Sequence, residues 1–166
     1  SESGMGTTFR VYFPKLNEEE DSKGNSSIPA GQEGAGNGHI LVVDDEEPIV
    51  DLTRSMLTRL GYKVTVQTNS AEAWRLFAQQ PNRFDLVITD MAMPQMTGIE
   101  LARKILDLRP GLPIILCTGF SEMTNEEKAK ELGIREYLMK PVVRSKLANT
   151  VRRALKKEKQ AESSAS

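Results

Sequence analysis

From residue 40 onward the chain alternates short apolar runs with longer stretches whose apolar residues recur every three or four positions. Residues 40–43 are continuously apolar, as expected of a strand covered on both faces. Residues 47–60 follow with Ile49, Leu52, Met56 and Leu60 forming a helical stripe; Pro48 suits the first turn and Gly61 the end. Residues 63–67 read as a second strand, and Ser70 is placed to cap a helix burying Trp74 and Phe77. Residues 85–89 give a third strand. Thr97 and Glu100 have the spacing of a capping box and open a helix with Ile99, Ala102, Ile105 and Leu106 inward, which Pro110 and Gly111 end. Residues 113–117 form a fourth strand. Thr124 and Glu127 repeat the capping-box spacing before a helix that stops near Gly133. Residues 136–139 form a fifth strand. Residues 143–155 close the pattern as a helix with Val143, Leu147, Val151 and Ala154 on one face, its basic end complementing the helix dipole. Five strand–helix units imply an α/β fold, a parallel sheet with helices on both faces. The carboxyl ends of its strands then border one crevice.

The flanks break this rhythm. Residues 7–14 alternate, with Phe9, Val11 and Phe13 on one side and Thr8, Arg10 and Tyr12 on the other, and read as a strand. Residues 15–38 are rich in Glu, Gly, Ser and Asn, carry the acid run Glu18 to Asp21 and have almost nothing to bury, so they read as a flexible linker. The chain turns polar from Lys156, and residues 158–166 are expected to be a disordered tail.

Composition narrows the classes. At 166 residues the chain suits one domain with flanking segments, here 39–157. A formal net charge of −1 argues against nucleic acid as a partner, and no apolar run nears the roughly 20 residues needed to span a bilayer, so no membrane contact is expected. Cys117 is the single cysteine, which fits a reducing, cytoplasmic setting. The chain opens on Ser1 rather than Met, as a fragment of a longer protein or a processed chain would.

The chemistry collects where strands end. Asp44, Asp45 and Glu46 follow strand one, Asp90 strand three, Thr118 strand four, and Lys140 with Pro141 strand five. Carboxylates gathered in one crevice repel unless a cation sits among them, and an oxygen-only set suits a hard ion such as Mg²⁺. A carboxylate can attack a phosphoryl group to give an aspartyl phosphate, with Lys140 neutralising charge on the transferring group and the Thr118 hydroxyl donating to a phosphoryl oxygen. Each residue also has a plainer reading. Asp44 and Asp45 could cap a helix, Lys140 could be a surface lysine, and Thr118 could belong to a turn. His39, the lone histidine, begins a strand rather than sitting on an amphipathic helix, which argues against a phosphodonor role. Met91, Met93 and Met96 read as apolar filling rather than ligands, and Cys117 as a buried strand residue.

Taken together, residues 39–157 resemble the receiver domain of bacterial response regulators. The matching segments are Leu41-Val42-Val43-Asp44-Asp45-Glu46, Leu86-Val87-Ile88-Thr89-Asp90-Met91-Ala92-Met93-Pro94, Met96-Thr97-Gly98, Cys117-Thr118-Gly119 and Tyr137-Leu138-Met139-Lys140-Pro141. The resemblance implies a flavodoxin-like sheet of order 2-1-3-4-5 and Asp90 as phosphoacceptor. It implies Mg²⁺ held by Asp45, Asp90 and the main-chain carbonyl of Ala92, with Asp44 assisting indirectly. It gives Lys140 and Thr118 contact with the phosphoryl group and makes Tyr137 a switch coupled to Thr118. The implied function is two-component phosphorelay signalling. The implied partners are a histidine kinase core or a histidine phosphotransfer domain, and a second copy through the face of the helices after strands four and five. Residues 4–14 are similar to the last glycine box and final strand of a histidine kinase ATP-binding domain, so 1–14 read as its remnant. The parent is then expected to be a hybrid sensor histidine kinase, membrane-anchored or not.

Two other classes make different demands. An aspartate-nucleophile phosphatase wants a second acid two residues after its nucleophile, where this chain has Ala92. A flavin-binding module wants a Ser/Thr/Gly phosphate loop after strand one, where this chain has Asp44-Asp45-Glu46-Glu47-Pro48. Ala92 and Phe120 are both apolar and neither can orient an attacking water, so a persistent aspartyl phosphate is expected.

Overall fold

A computed structural model describes residues 36–119, 129, 132–134 and 136–163. The strand expected at 7–14, most of the linker, the helix announced by Thr124 and Glu127, Phe120 and the last three residues lie outside the described residues. The chain divides between Glu33 and Gly34, and every described residue belongs to the second unit.

Five parallel strands form one sheet: β1 (His39–Val43), β2 (Lys63–Gln67), β3 (Leu86–Asp90), β4 (Ile114–Thr118) and β5 (Glu136–Met139), in the order β2-β1-β3-β4-β5. The described helices are α1 (Glu47–Arg59), α2 (Ser70–Gln79), α3 (Gly98–Leu108) and α4 (Arg144–Ser163), with a short 3-10 turn at Pro81–Arg83. This is the flavodoxin-like arrangement expected from the resemblance.

Alternation along each strand divides the core. Leu41, Val43, Val87, Ile114 and Leu116 pack with Phe77, Leu101 and Ile105 on the α2/α3 side. Ile40, Val42, Leu86, Ile88, Ile115 and Leu138 pack with Leu57, Leu147 and Val151 on the α1/α4 side. Each such side chain taken from water contributes about 1.5–3 kcal/mol, so the central strands are fixed in register by both faces.

Four local expectations need correction. In α1 the inward residues are Val50, Thr53 and Leu57, whereas Leu52 is 53% exposed. Apolar residues make up fewer than half of this helix, and the face that carries Val50, Thr53 and Leu57 is the one turned inward, which leaves Leu52 to solvent. The cap of α2 is Asn69, whose Oδ1 accepts from the amides of Ala71 at 2.9 Å and Glu72 at 3.1 Å. Ser70 is instead the first helical residue, 2% exposed. Val143 precedes α4 and is 50% exposed, so it does not share the buried face of Leu147, Val151 and Ala154. α4 itself runs to Ser163, into the stretch expected as a tail, because its Lys, Glu, Gln and Ala residues are good helix formers.

The Gly61 stop and the capping box behave as read. Gly61 adopts φ 91° and closes α1: its amide donates to Thr58 O at 3.0 Å and that of Tyr62 to Leu57 O at 3.2 Å, the paired bonds of a Schellman cap. Thr97 and Glu100 form the full capping box on α3. The end of the expected linker is held: the Gly36 amide donates to Leu60 O at 2.9 Å, and the Tyr62 ring lies so close that a Cβ at position 36 would meet it at 2.5 Å. No helix among the described residues is long and apolar enough to cross a membrane.

Candidate functional site

The strand order reverses direction around β1, so the crevice opens between the carboxyl ends of β1 and β3. Val43 pairs with Thr89, which brings the following residues, Asp44 and Asp90, side by side. Lys140 reaches them from the end of β5, its amide bonded to Thr118 O at 2.9 Å. Its Nζ lies 2.7 Å from Asp90 Oδ1 and 2.9 Å from Asp44 Oδ2. The remaining oxygens take backbone donors: Asp90 Oδ2 accepts from the Ala92 amide at 3.1 Å, and Asp44 Oδ1 from the Glu46 amide at 3.0 Å. Asp44 thus also makes the turn that leads into α1, but neither Asp44 nor Asp45 caps that helix, whose N-cap is Glu46 without a side-chain bond.

Both bridged carboxylates are buried, while Asp45 faces solvent. One oxygen from each of Asp44, Asp45 and Asp90 falls within 4.8 Å of the others. An all-oxygen set of this kind suits a hard cation such as Mg²⁺, which Asp44, Asp45 and Asp90 would hold. With all three acids ionised and Lys140 protonated, the pocket carries −2, the charge a divalent cation would cancel. Burial raises the Asp90 pKa, against the lowering effect of Lys140 and of the Ala92 amide. Burial pulls the Lys140 pKa down, but its bonds to Asp90 and Asp44 outweigh this and hold it above the ordinary lysine range. The ammonium is therefore a fixed charge in the pocket.

Thr118 is buried beside the cluster, and its hydroxyl donates to Gly119 O at 3.1 Å rather than to a site carboxylate. Tyr137 pairs with Leu116 across β4 and β5, on the same sheet face as Thr118 one step further along. Its hydroxyl donates to Ile134 O at 3.0 Å. Cys117, next to Asp90 in register, has its thiol pushed up to about 12 by burial, so it stays protonated and is no nucleophile. His39 lies at the opposite end of β1, with Nε2 2.8 Å from Thr65 Oγ1, remote from the acids.

Three further contributors gain their roles from the structure. Glu46 Oε1 stands 4.0 Å from Lys140 Nζ at the exposed rim. Gly98 lets the start of α3 press on the end of β3: a Cβ there would stand 2.0 Å from Asp90 O. Gln95 has φ 69°, and the Met96 amide donates to Pro94 O at 2.8 Å, making a tight turn in a sparsely populated backbone region that costs about 1–3 kcal/mol. The Gln95 and Gly98 features lie in the loop or helix start immediately after Asp90.

A flavodoxin-like sheet with an acidic, lysine-bridged pocket at its reversal point defines the class of protein. The chain belongs to the response regulator receiver domain family, whose model matches residues 40–152, and is therefore a receiver domain of two-component signalling. It is similar to the DNA-binding transcriptional regulator NtrC of Bradyrhizobium sp. (strain RP501 Parasponia), 37% identical over 76% of this chain and 26% of that protein. It is also similar to the sensor kinase CckA of Brucella abortus (strain 2308), 27% identical over 95% of this chain and 17% of that protein. The chain thus spans about a quarter or less of these curated relatives. Among solved structures, a response regulator receiver domain protein from Clostridium thermocellum superposes with a TM-score of 0.72 at 34% identity, over 75% of this chain and 99% of that one.

Proposed function

We propose that Asp90 accepts a phosphoryl group from a phosphohistidine, with Mg²⁺ held by Asp45, Asp90 and the Ala92 carbonyl and assisted by Asp44. The observation that carries this reading is the Lys140 ammonium seated on both Asp90 and Asp44 beside an exposed third carboxylate. The ion would offset charge on the phosphoryl oxygens. An Asp90 carboxylate oxygen bonds to phosphorus as the phosphorus–nitrogen bond to the donor imidazole breaks, and the released ring nitrogen takes a proton from solvent. Lys140 follows the new negative charge. Thr118, whose hydroxyl donates to its neighbour's carbonyl, rotates to donate to a phosphoryl oxygen, which vacates space on the face shared with Tyr137. That change remodels the surface after strands four and five, where a kinase core, a phosphotransfer domain or a second copy would dock.

The parent is a hybrid sensor histidine kinase in this reading, with 1–14 the end of its ATP-binding domain, 15–38 a linker, 39–157 the receiver, and a C-terminal stretch into which α4 continues as far as Ser163. The alignment to a sensor kinase supports it, because one covering 95% of the chain must include most of residues 1–38. Such a parent would transfer phosphate from ATP to its own histidine, while this chain supports only phosphorylation of its aspartate. The NtrC-type relatives favour a second reading, a stand-alone response regulator. A full-length sequence with or without an upstream phosphodonor helix decides between them.

Acetyl phosphate with Mg²⁺ is expected to phosphorylate the chain, and Asp90→Asn to abolish this by radiolabel or intact mass. Wild-type uptake by Asp90→Asn would overturn the assignment.

A further inference from the structure

On the reading that the Asp90 pocket binds Mg²⁺, we propose that Ser70 is a positioning residue for that site, holding the loop that presents the Ala92 carbonyl. The loop from Met91 to Thr97 is anchored at both ends by backbone. The Met91 amide donates to Cys117 O at 2.9 Å and the Gly98 amide to Met91 O at 3.0 Å. Between these anchors the chain makes the turn at Gln95, with φ 69°. A side chain other than glycine keeps that conformation only when its surroundings over-determine it.

Ser70 supplies such a constraint from a different element. It is the first residue of α2 and 2% exposed, and its hydroxyl donates to Pro94 O at 3.3 Å. Pro94 O is the same carbonyl that accepts the Met96 amide across the turn. One oxygen therefore closes the turn and ties it to α2. Ser70 is not needed as the helix cap, because Asn69 already accepts from both amides that a cap would serve. A buried hydroxyl relieved of capping and aimed at the loop two residues beyond Ala92 is placed to fix the direction of the Ala92 peptide. Outer hydrogen bonds that orient a ligand for a metal act in this way. Ser70 touches neither metal nor phosphoryl group.

The test is a Mg²⁺ titration of the full chain followed by amide chemical shifts at Asp45 and Ala92, together with thermal melting. Ser70→Ala is expected to bind Mg²⁺ roughly tenfold more weakly than wild type, at the lower end of losses seen when an outer hydrogen bond is removed. Ser70→Thr, which keeps the hydroxyl, should bind close to wild type. Asn69→Ala removes the neighbouring cap and should lower the melting temperature without changing Mg²⁺ affinity. Wild-type affinity in Ser70→Ala overturns the proposal. So does an equal loss of affinity in Ser70→Ala and Asn69→Ala, which would mark a general loosening of α2. So does Ser70→Thr binding as weakly as Ser70→Ala. Failure of the underlying reading looks different: wild type would then show no saturable Mg²⁺ shift, or Asp45→Asn would bind as well as wild type.

Discussion

Lys140 sits on carboxylates that Mg²⁺ would use in the proposed reading. Its ammonium bridges Asp90 Oδ1 and Asp44 Oδ2, and its side chain is only 23% exposed. Removing it leaves two buried carboxylates without their cation. Lys140→Met is therefore expected to lower stability on the order of 3 kcal/mol without metal, as when one partner of a buried pair is deleted. The same change removes a competitor, so Mg²⁺ affinity should rise and the ion should recover much of the lost stability. Denaturant melts with and without Mg²⁺ read both effects, and weaker Mg²⁺ binding in Lys140→Met would refute the competition. Ala92 makes a separate point. It is exposed beside Asp90, and a methyl group cannot orient water for attack on the acyl phosphate. A radiolabel chase of the phosphorylated chain should show slow decay, and a half-life of seconds would contradict it.

At the scale of elements, α3 and β3 meet through a missing side chain. A Cβ on Gly98 would lie 2.0 Å from Asp90 O, so Gly98→Ala must push the helix start and the acceptor loop apart. A cost of about 1–3 kcal/mol is expected for such overpacking, with a loss of phosphorylation larger than the loss of folded protein. Parallel assays of melting temperature and acetyl phosphate uptake separate the two; full uptake by a folded Gly98→Ala would show that the contact is not felt at the site. This contact marks the limit of what the sequence discloses. The strands and their polar ends were readable because burial on both faces imposes continuous apolar runs, and chemistry stands out where those runs stop at Asp44, Asp90, Thr118 and Lys140. The turned face of α1 was not, since Leu52 and Thr53 are adjacent and only packing on the rest of the fold decides which one is buried. Nor was the choice of Asn69 over Ser70 as cap, two neighbouring polar residues that either position would accept. Glu46 and Gly98 stood out in the sequence, but the approach of Glu46 to Lys140, the closeness of Gly98 to Asp90 O and the Ser70 bond depend on contacts between chain segments that no local pattern encodes.

Across the whole molecule the sheet has two polar ends with opposite responses to acid. At the carboxyl end, burial raises the Asp90 pKa above 3.8. A carboxyl that binds its proton more readily when folded contributes stability in acid and loses it as pH rises through its folded pKa. At the other end, His39 is 7% exposed, with Nε2 on Thr65 and the backbone amide donating to Asp85 Oδ2 at 2.6 Å. Burial, then Lys63 and Arg83, lowers its pKa below 6.5, against the opposing effects of Asp85 and of the Arg83 backbone. The unfolded chain then takes up a proton that the folded one refuses. Stability from this group is complete above pH 6.5 and falls as pH drops from there toward the folded pKa. His39→Gln keeps a polar side chain that does not titrate, and should flatten the stability profile on the acid side of pH 6.5 while leaving Mg²⁺ binding at the far end unchanged. Urea melts across that range measure it. A wild-type profile already flat there, or a His39→Gln profile as steep as wild type, would show that the base of the sheet does not sense protons.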